Sequence, residues 1–179
     1  MKNEITGMKL RLIVMNFLQF AVWGAYLTSM GTYLFNIGLG AKIGLFYAMQ
    51  GIVSLFMPAI MGIIADRWVP AQKLYGFCHF MAAVFMVAAG WYGYVDGEAV
   101  NFGTLFTFYS LSVAFYMPTL ALTNSVAYTA LDKVKLDPVI AFPPIRIFGT
   151  IGFICSMLLT DILGFQNNYM QFFSCACFG

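Results

Sequence analysis

An arginine, a threonine and a phenylalanine stand at positions 146, 150 and 153 within "FPPIRIFGTIGF", residues 142–153 of a chain of 179. At 3.6 residues per turn these spacings keep the three within about 60 degrees of one another, so Arg146, Thr150 and Phe153 form one helical stripe. The stripe offers a planar fork of N–H donors, a hydroxyl and an aromatic face. Gly149, Gly152 and Ser156 form an adjoining stripe of small residues, suited to close contact with a neighbouring helix that turns the first stripe toward a bundle interior.

The setting of Arg146 is unusual, because no other charge occurs between Pro138 and Thr160. Counted from Pro138, it lies about 12 Å along a helix. An arginine near the centre of a spanning helix costs roughly 2.5–3.5 kcal/mol, so it must snorkel, pair, or face a watery cavity. Pro143 and Pro144 favour a helix start or break beside it, and a cation in a first helical turn meets the positive end of the dipole. A ligand or a distant acid would compensate better than snorkelling.

The elements that position these residues follow from composition. The chain is 61% hydrophobic and 9% charged, with mean hydropathy +0.83, against about 25% charged residues in soluble domains. Uncharged runs of bilayer length occupy Ile43 to Ala65, Leu74 to Val95 and Ala99 to Leu131, and another lies between Arg11 and Lys42. The composition points to an all-α integral membrane protein, with approximate spans 12–35, 43–65, 74–95, 101–128, 142–162 and the start of a sixth at 169–179. A removable leader is a poor fit, since the first apolar run is too long and lacks a small-residue cleavage site. Continuous apolar runs, without ten-residue alternation, exclude a β-barrel pattern.

Lys2, Lys9, Arg11, Arg67, Lys73, Lys133 and Lys135 fall on one side of the alternating topology, against Lys42 alone on the other, where Asp96 and Glu98 also lie. This bias places the N-terminus in the cytoplasm. The net charge of +2 rests on few ionisable groups and gives no sign of nucleic-acid binding. Cys78, Cys155, Cys175 and Cys177 lie in spans without metal or redox spacing, and no metal site or catalytic constellation is expected. His79 reads as a hydrogen-bonding group between helices, because a proton relay needs an acid at its depth and none is present.

Other polar residues mark faces. Gln19, Trp23 and Tyr26 share a face of the first span with Asn16 and could line a cavity, beside a small-residue stripe of Gly24, Thr28, Gly31 and Thr32. In "YMPTLALTNSVAY", residues 116–128, Pro118 removes a backbone donor and kinks or loosens the fourth span, while Thr119, Thr123 and Asn124 add polar groups. Gly62, Asp66 and Arg67 in "GIIADR" resemble the start of the loop signature of the major facilitator superfamily, in which the glycine lets helices close up. The later glycine and basic pair of that signature are replaced by Trp68, Val69 and Pro70.

Taken in order, "FLQFAVWGAYLTSMGTYL" at 17–34, "FMPAIMGIIADRW" at 56–68, "YMPTLALTNSVAY" and "FPPIRIFGTIGF" resemble the bacterial nucleoside permeases, the nucleoside and proton symporter family of that superfamily. The resemblance implies a twelve-helix transporter of two six-helix halves, of which residues 1–179 would be the N-terminal half, truncated in helix six. It implies a nucleoside as substrate, bound by Arg146, Thr150 and Phe153, and a proton as coupling ion without any cofactor. Its partners would be the lipid bilayer and a missing C-terminal half holding the coupling acids, and its location a bacterial inner membrane. Ala141 stands where relatives can carry an acid, Asp137 belongs at the cytoplasmic surface, and Asp161 is an interfacial charge at the other end of the span. A sugar or oligosaccharide transporter and a non-transporting membrane partner protein remain alternatives.

The orientation is testable on its own. A membrane-impermeant thiol reagent applied from outside is expected to modify Gly97→Cys and to spare Lys135→Cys. The reverse labelling would invert the topology.

Overall fold

A computed structural model describes residues 2–179, apart from the side chains of Lys2, Asn3 and Glu98. Met1, and the charges expected at Lys2 and Glu98, therefore lie outside the described set. Among the described residues seven α-helices follow in order: α1 (Lys2–Tyr26), α2 (Met30–Asn36), α3 (Ile43–Arg67), α4 (Ala71–Asp96), α5 (Phe102–Lys133), α6 (Pro138–Ile162) and α7 (Met170–Phe178). Five segments among the described residues are long and apolar enough to cross a membrane, α1 and α2 counting as one. Their outward residues are greasy, with Val139 80%, Ile162 79% and Leu55 73% exposed, as expected where hydrocarbon is the solvent.

Side-chain caps start two of the long helices. Asn101 accepts from the Gly103 amide at 2.8 Å ahead of α5, and Asp137 accepts from the Val139 amide at 2.9 Å ahead of α6, each satisfying a donor that a first turn leaves open. The first span is not one helix. It turns at Leu27–Ser29, and the Leu27 carbonyl accepts from Tyr47 Oη at 2.7 Å while Ser29 Oγ donates to Gln171 Oε1 at 2.9 Å. Irregular backbone persists at such depth when protein groups take up its polar atoms.

The double proline does not start or break a helix, contrary to expectation. Asp137 and Pro138 begin α6 earlier, and the helix runs through Pro143 and Pro144. Their missing amides leave only the carbonyls of Val139 and Ile140, in the first turn, without i+4 donors. Likewise α5 continues through Pro118 as a single helix, with Thr119 Oγ1 donating to the Tyr116 carbonyl at 2.6 Å and Thr123 Oγ1 to the Thr119 carbonyl at 2.7 Å.

Helix α1 packs along α6, α5 against α3 and α4, and α7 between α1 and α4. Contacts along α1 and α6 rise together, from Phe17 with Gly152 through Gly24 with Ser156 to Ala25 with Thr160, so the two helices run parallel. The approach is backbone to backbone: a Cβ on Gly152 would collide with the Phe17 carbonyl, and one on Gly24 with the Phe153 carbonyl and Ser156 Oγ. Of the expected small-residue stripe on the first span, Gly24 makes this contact and Gly31 faces Tyr47, whereas Thr28 and Thr32 are exposed. The bundle interior is aromatic, with Phe46 packed on Phe102, Phe106 and Tyr109, and Tyr26 edge-on to Tyr109.

Gly152→Ala is expected to lower the thermal stability of the purified chain by about 1–3 kcal/mol, because the methyl overpacks a rigid backbone contact. Gly76→Ala, with open space around its Cβ position on α4, should be neutral or stabilising by up to about 1 kcal/mol from helix propensity. Equal melting temperatures for the two variants would contradict the close α1–α6 contact.

Candidate functional site

Because α6 begins at Pro138, Arg146 lies in its third turn. The unfavourable first-turn dipole expected from the double proline therefore does not act on it, since that field falls off within one turn. Arg146 is half-buried, Phe153 partly exposed and Thr150 exposed, all on one face of α6. Among the described residues no carboxylate pairs with Arg146. Its guanidinium carbon lies 3.8 Å from the centroid of the Phe20 ring, a cation–π contact with a residue of α1.

Phe20 begins an aromatic run. Its ring is 6.3 Å from that of Trp23, which meets Phe153 edge-on at 6.3 Å and 83°. Trp23 Nε1 donates to Gln50 Oε1 at 3.2 Å, and Gln50 Nε2 donates to Tyr109 Oη at 2.6 Å. The indole is thereby held from α3 while part of its surface stays open. The result is a wall built by α1 and α6 and braced by α3, in which a cation, a hydroxyl and three aromatic rings lie side by side. Such a wall can donate hydrogen bonds to ring carbonyls or hydroxyls and cover a planar group.

The residues expected as cavity lining separate. Trp23 joins Arg146, whereas Gln19 and Tyr26 are 0% and 1% exposed and belong to the interior. Gln19 is the hub of a polar network that joins three helices. Its Oε1 accepts from Tyr75 Oη at 2.8 Å and lies 3.1 Å from Thr123 Oγ1 and 2.7 Å from His79 Nε2. Its Nε2 donates to Thr119 Oγ1 at 2.8 Å, and its backbone carbonyl accepts from Tyr116 Oη at 2.6 Å. A carbonyl oxygen has no proton to give, so His79 carries its hydrogen on Nε2. His79 is thus a donor between helices, with a glutamine and not an acid as its partner. Asn124 is exposed on α5.

At the end of α3, Asp66 and Arg67 are exposed and Gly62 has nothing within 4 Å of its Cβ position. The close helix approach expected at Gly62 is therefore not made within the described residues. Sequence reasoning missed Phe20 and Gln50. Phe20 stands one turn after Asn16 and three residues before Trp23, a spacing that puts it on the edge of the same face. Gln50 is a lone amide within an uncharged run, itself a signal of a buried polar contact in a membrane helix.

Comparison with known proteins gives the arrangement a family. Residues 6–178 match the sequence model of the family described as Nucleoside H+ symporter. The xanthosine permease of Escherichia coli (strain K12) is 40% identical over 166 residues, which cover 92% of this chain and 38% of that protein. The nucleoside permease NupG of the same strain is 39% identical over 170 residues, covering 93% of this chain and 39% of NupG. Two crystal structures of the nucleoside transporter NupG superpose with TM-scores of 0.88 and 0.85 at 38% identity, over 96% of this chain and 41% of theirs. This chain thus spans about two-fifths of the length of the relatives it matches. With a family match over nearly its whole length and the helical arrangement of a solved transporter, the chain belongs to the nucleoside H+ symporter family.

Proposed function

We propose that this chain forms the N-terminal six-helix part, over residues 1–179, of a proton-coupled nucleoside importer in the cell membrane, with its N-terminus in the cytoplasm. Arg146, Thr150 and Phe153 are the nucleoside contacts. The observation that carries the reading is Arg146 itself: a cation at mid-helix, without a carboxylate partner among the described residues, folded over Phe20 on a half-open face. A snorkelling arginine would extend toward headgroups. This one lies against an aromatic ring of α1, and Phe20 stands about 13 Å along that helix from Arg11.

A nucleoside is neutral, and its base carbonyls and ribose hydroxyls are acceptors for a guanidinium fork. Thr150 adds a hydroxyl beside the fork, and Phe153 with Trp23 supplies surface for the base. In transporters built from two repeats the ligand lies near the bilayer midplane where the halves meet, and the half-open wall of α1 and α6 suits one side of such a site. The proton is the coupling ion in this reading, and the acids that carry it belong to a C-terminal half that packs against this one. Gly62 and the exposed Asp66 and Arg67 at the end of α3 would meet that half at the cytoplasmic surface.

In the full-length transporter, Arg146→Ala is expected to weaken nucleoside binding by more than about 1.4 kcal/mol, tenfold in Kd, through loss of a charge-assisted hydrogen bond. Arg146→Lys should recover little, because one ammonium does not reproduce the planar fork. Isothermal titration with nucleosides, and with sugars as competitors, measures both. Parent-like binding by both variants at normal expression would remove Arg146 from the site, and displacement by sugars alone would change the substrate class.

Uptake into proteoliposomes should rise when the outside is made acidic. An unchanged rate with and without a pH gradient would remove the proton from the mechanism. Phe153→Leu should cost less than Phe153→Ala if the ring supplies apolar surface, and as much if it stacks on the base.

A further inference from the structure

The guanidinium of Arg146 is held by a cradle that the nucleoside reading does not itself require. Phe20 covers it at 3.8 Å from ring centroid to guanidinium carbon. Gly149, one turn ahead of Phe153 on α6, marks the second wall. A Cβ there would lie 2.7 Å from Phe20 Cδ2 and 2.8 Å from Arg146 Nη1. The ring and the cation thus both press onto the bare backbone of Gly149, and they meet because that position carries no side chain. The obstacles are the ends of two side chains. At Gly152, by contrast, the obstacle is the backbone of Phe17.

We propose that Phe20 and Gly149 are positioning residues, which pin the guanidinium in place so that its N–H edge faces the open side of the α1–α6 wall. This rests on the reading of Arg146 as a nucleoside contact. A free arginine side chain carries rotamer entropy, much of which is lost on each binding event unless the side chain is already ordered. Stacking on an aromatic ring orders it before the ligand arrives. It also leaves the donors free, because the N–H bonds lie in the guanidinium plane and the ring contacts its face. An acidic partner would order the arginine as well but would occupy the donors. An aromatic ring is therefore the holder suited to a site that binds a neutral ligand.

The test uses the full-length transporter, uridine and adenosine as probes, and two readouts. Phe20→Leu keeps apolar volume and removes the ring face, and should weaken binding about three- to tenfold. Phe20→Tyr, which keeps the ring face, should recover most of the binding that Phe20→Leu loses. Gly149→Ala should weaken binding to a similar extent while its melting temperature stays close to that of Gly76→Ala. In the Arg146→Ala background, Phe20→Leu should add no further loss, as required of a residue that acts through Arg146. Independently of any nucleoside, the side-chain Nε–H resonance of Arg146 should show a ring-current shift that disappears in Phe20→Leu.

A Phe20→Leu variant that binds like the parent while Arg146→Ala does not would overturn the cradle and leave the nucleoside reading standing. So would an equal loss from Phe20→Leu with and without Arg146, which would make Phe20 a ligand contact in its own right. If Arg146→Ala itself binds like the parent, the nucleoside reading falls and the proposed role of the cradle falls with it.

Discussion

The structure depends on how closely α1 and α6 approach each other. In a bilayer the hydrophobic effect does not drive helices together, because lipid tails are as apolar as leucine, so association rests on van der Waals contact and interhelical hydrogen bonds. Gly24 and Gly152 supply the contact by letting backbone meet backbone, at the Phe153 and Phe17 carbonyls respectively. Thr160 Oγ1, bonded to the Ser156 carbonyl at 2.9 Å, also lies 3.3 Å from the Ala25 carbonyl. With the two helices parallel at that distance, Phe20 lies across Gly149 and Trp23 meets Phe153.

Two groups of polar residues are carried inside the bundle in opposite ways. Gln19 is saturated, its amide oxygen surrounded by Tyr75, Thr123 and His79 and its amide nitrogen bonded to Thr119. That network ties α1 to α4 and α5 and leaves little for a ligand, since every partner is a neighbouring helix. Arg146 is half-buried, covered by a ring on one side and without a carboxylate partner among the described residues. Buried polar groups that are fully satisfied rigidify a core. The two kinds meet on neighbouring positions of α1, since Phe20, which covers Arg146 of α6, is the residue next to Gln19.

The kinship with the nucleoside H+ symporters fits this division. Their solved relative NupG shares the arrangement at a TM-score of 0.88 over about two-fifths of its own length. The interior of this segment is completed by its own helices, with α7 wedged between α1 and α4 and Gln171 bonded to Ser29 in the turn between α1 and α2. The outer apolar faces of α3 and α6 are not covered by these helices, as expected where hydrocarbon is the solvent.

Much of this was legible in the residues alone. Charge-free runs longer than a bilayer is thick dictate spanning helices, because backbone polar groups in hydrocarbon must be satisfied within the segment. A period of 3.6 puts Arg146, Thr150 and Phe153 on one face wherever the helix lies. The spacing of Gly149, Gly152 and Ser156 announces a close neighbour. All of these are local properties, and a helix carries them with it. The identity of the neighbour is not local. Periodicity groups Gln19, Trp23 and Tyr26 but does not say which helix each will meet, and packing sent Gln19 and Tyr26 inward while leaving Trp23 beside Phe153. Nor does a double proline announce that an earlier Asp137 cap and Pro138 have already begun the helix, so that Arg146 escapes the first-turn dipole. Phe20, one of nineteen phenylalanines, became a partner of Arg146 because Gly24 and Gly152 let α1 and α6 touch and Gly149 leaves room for the ring.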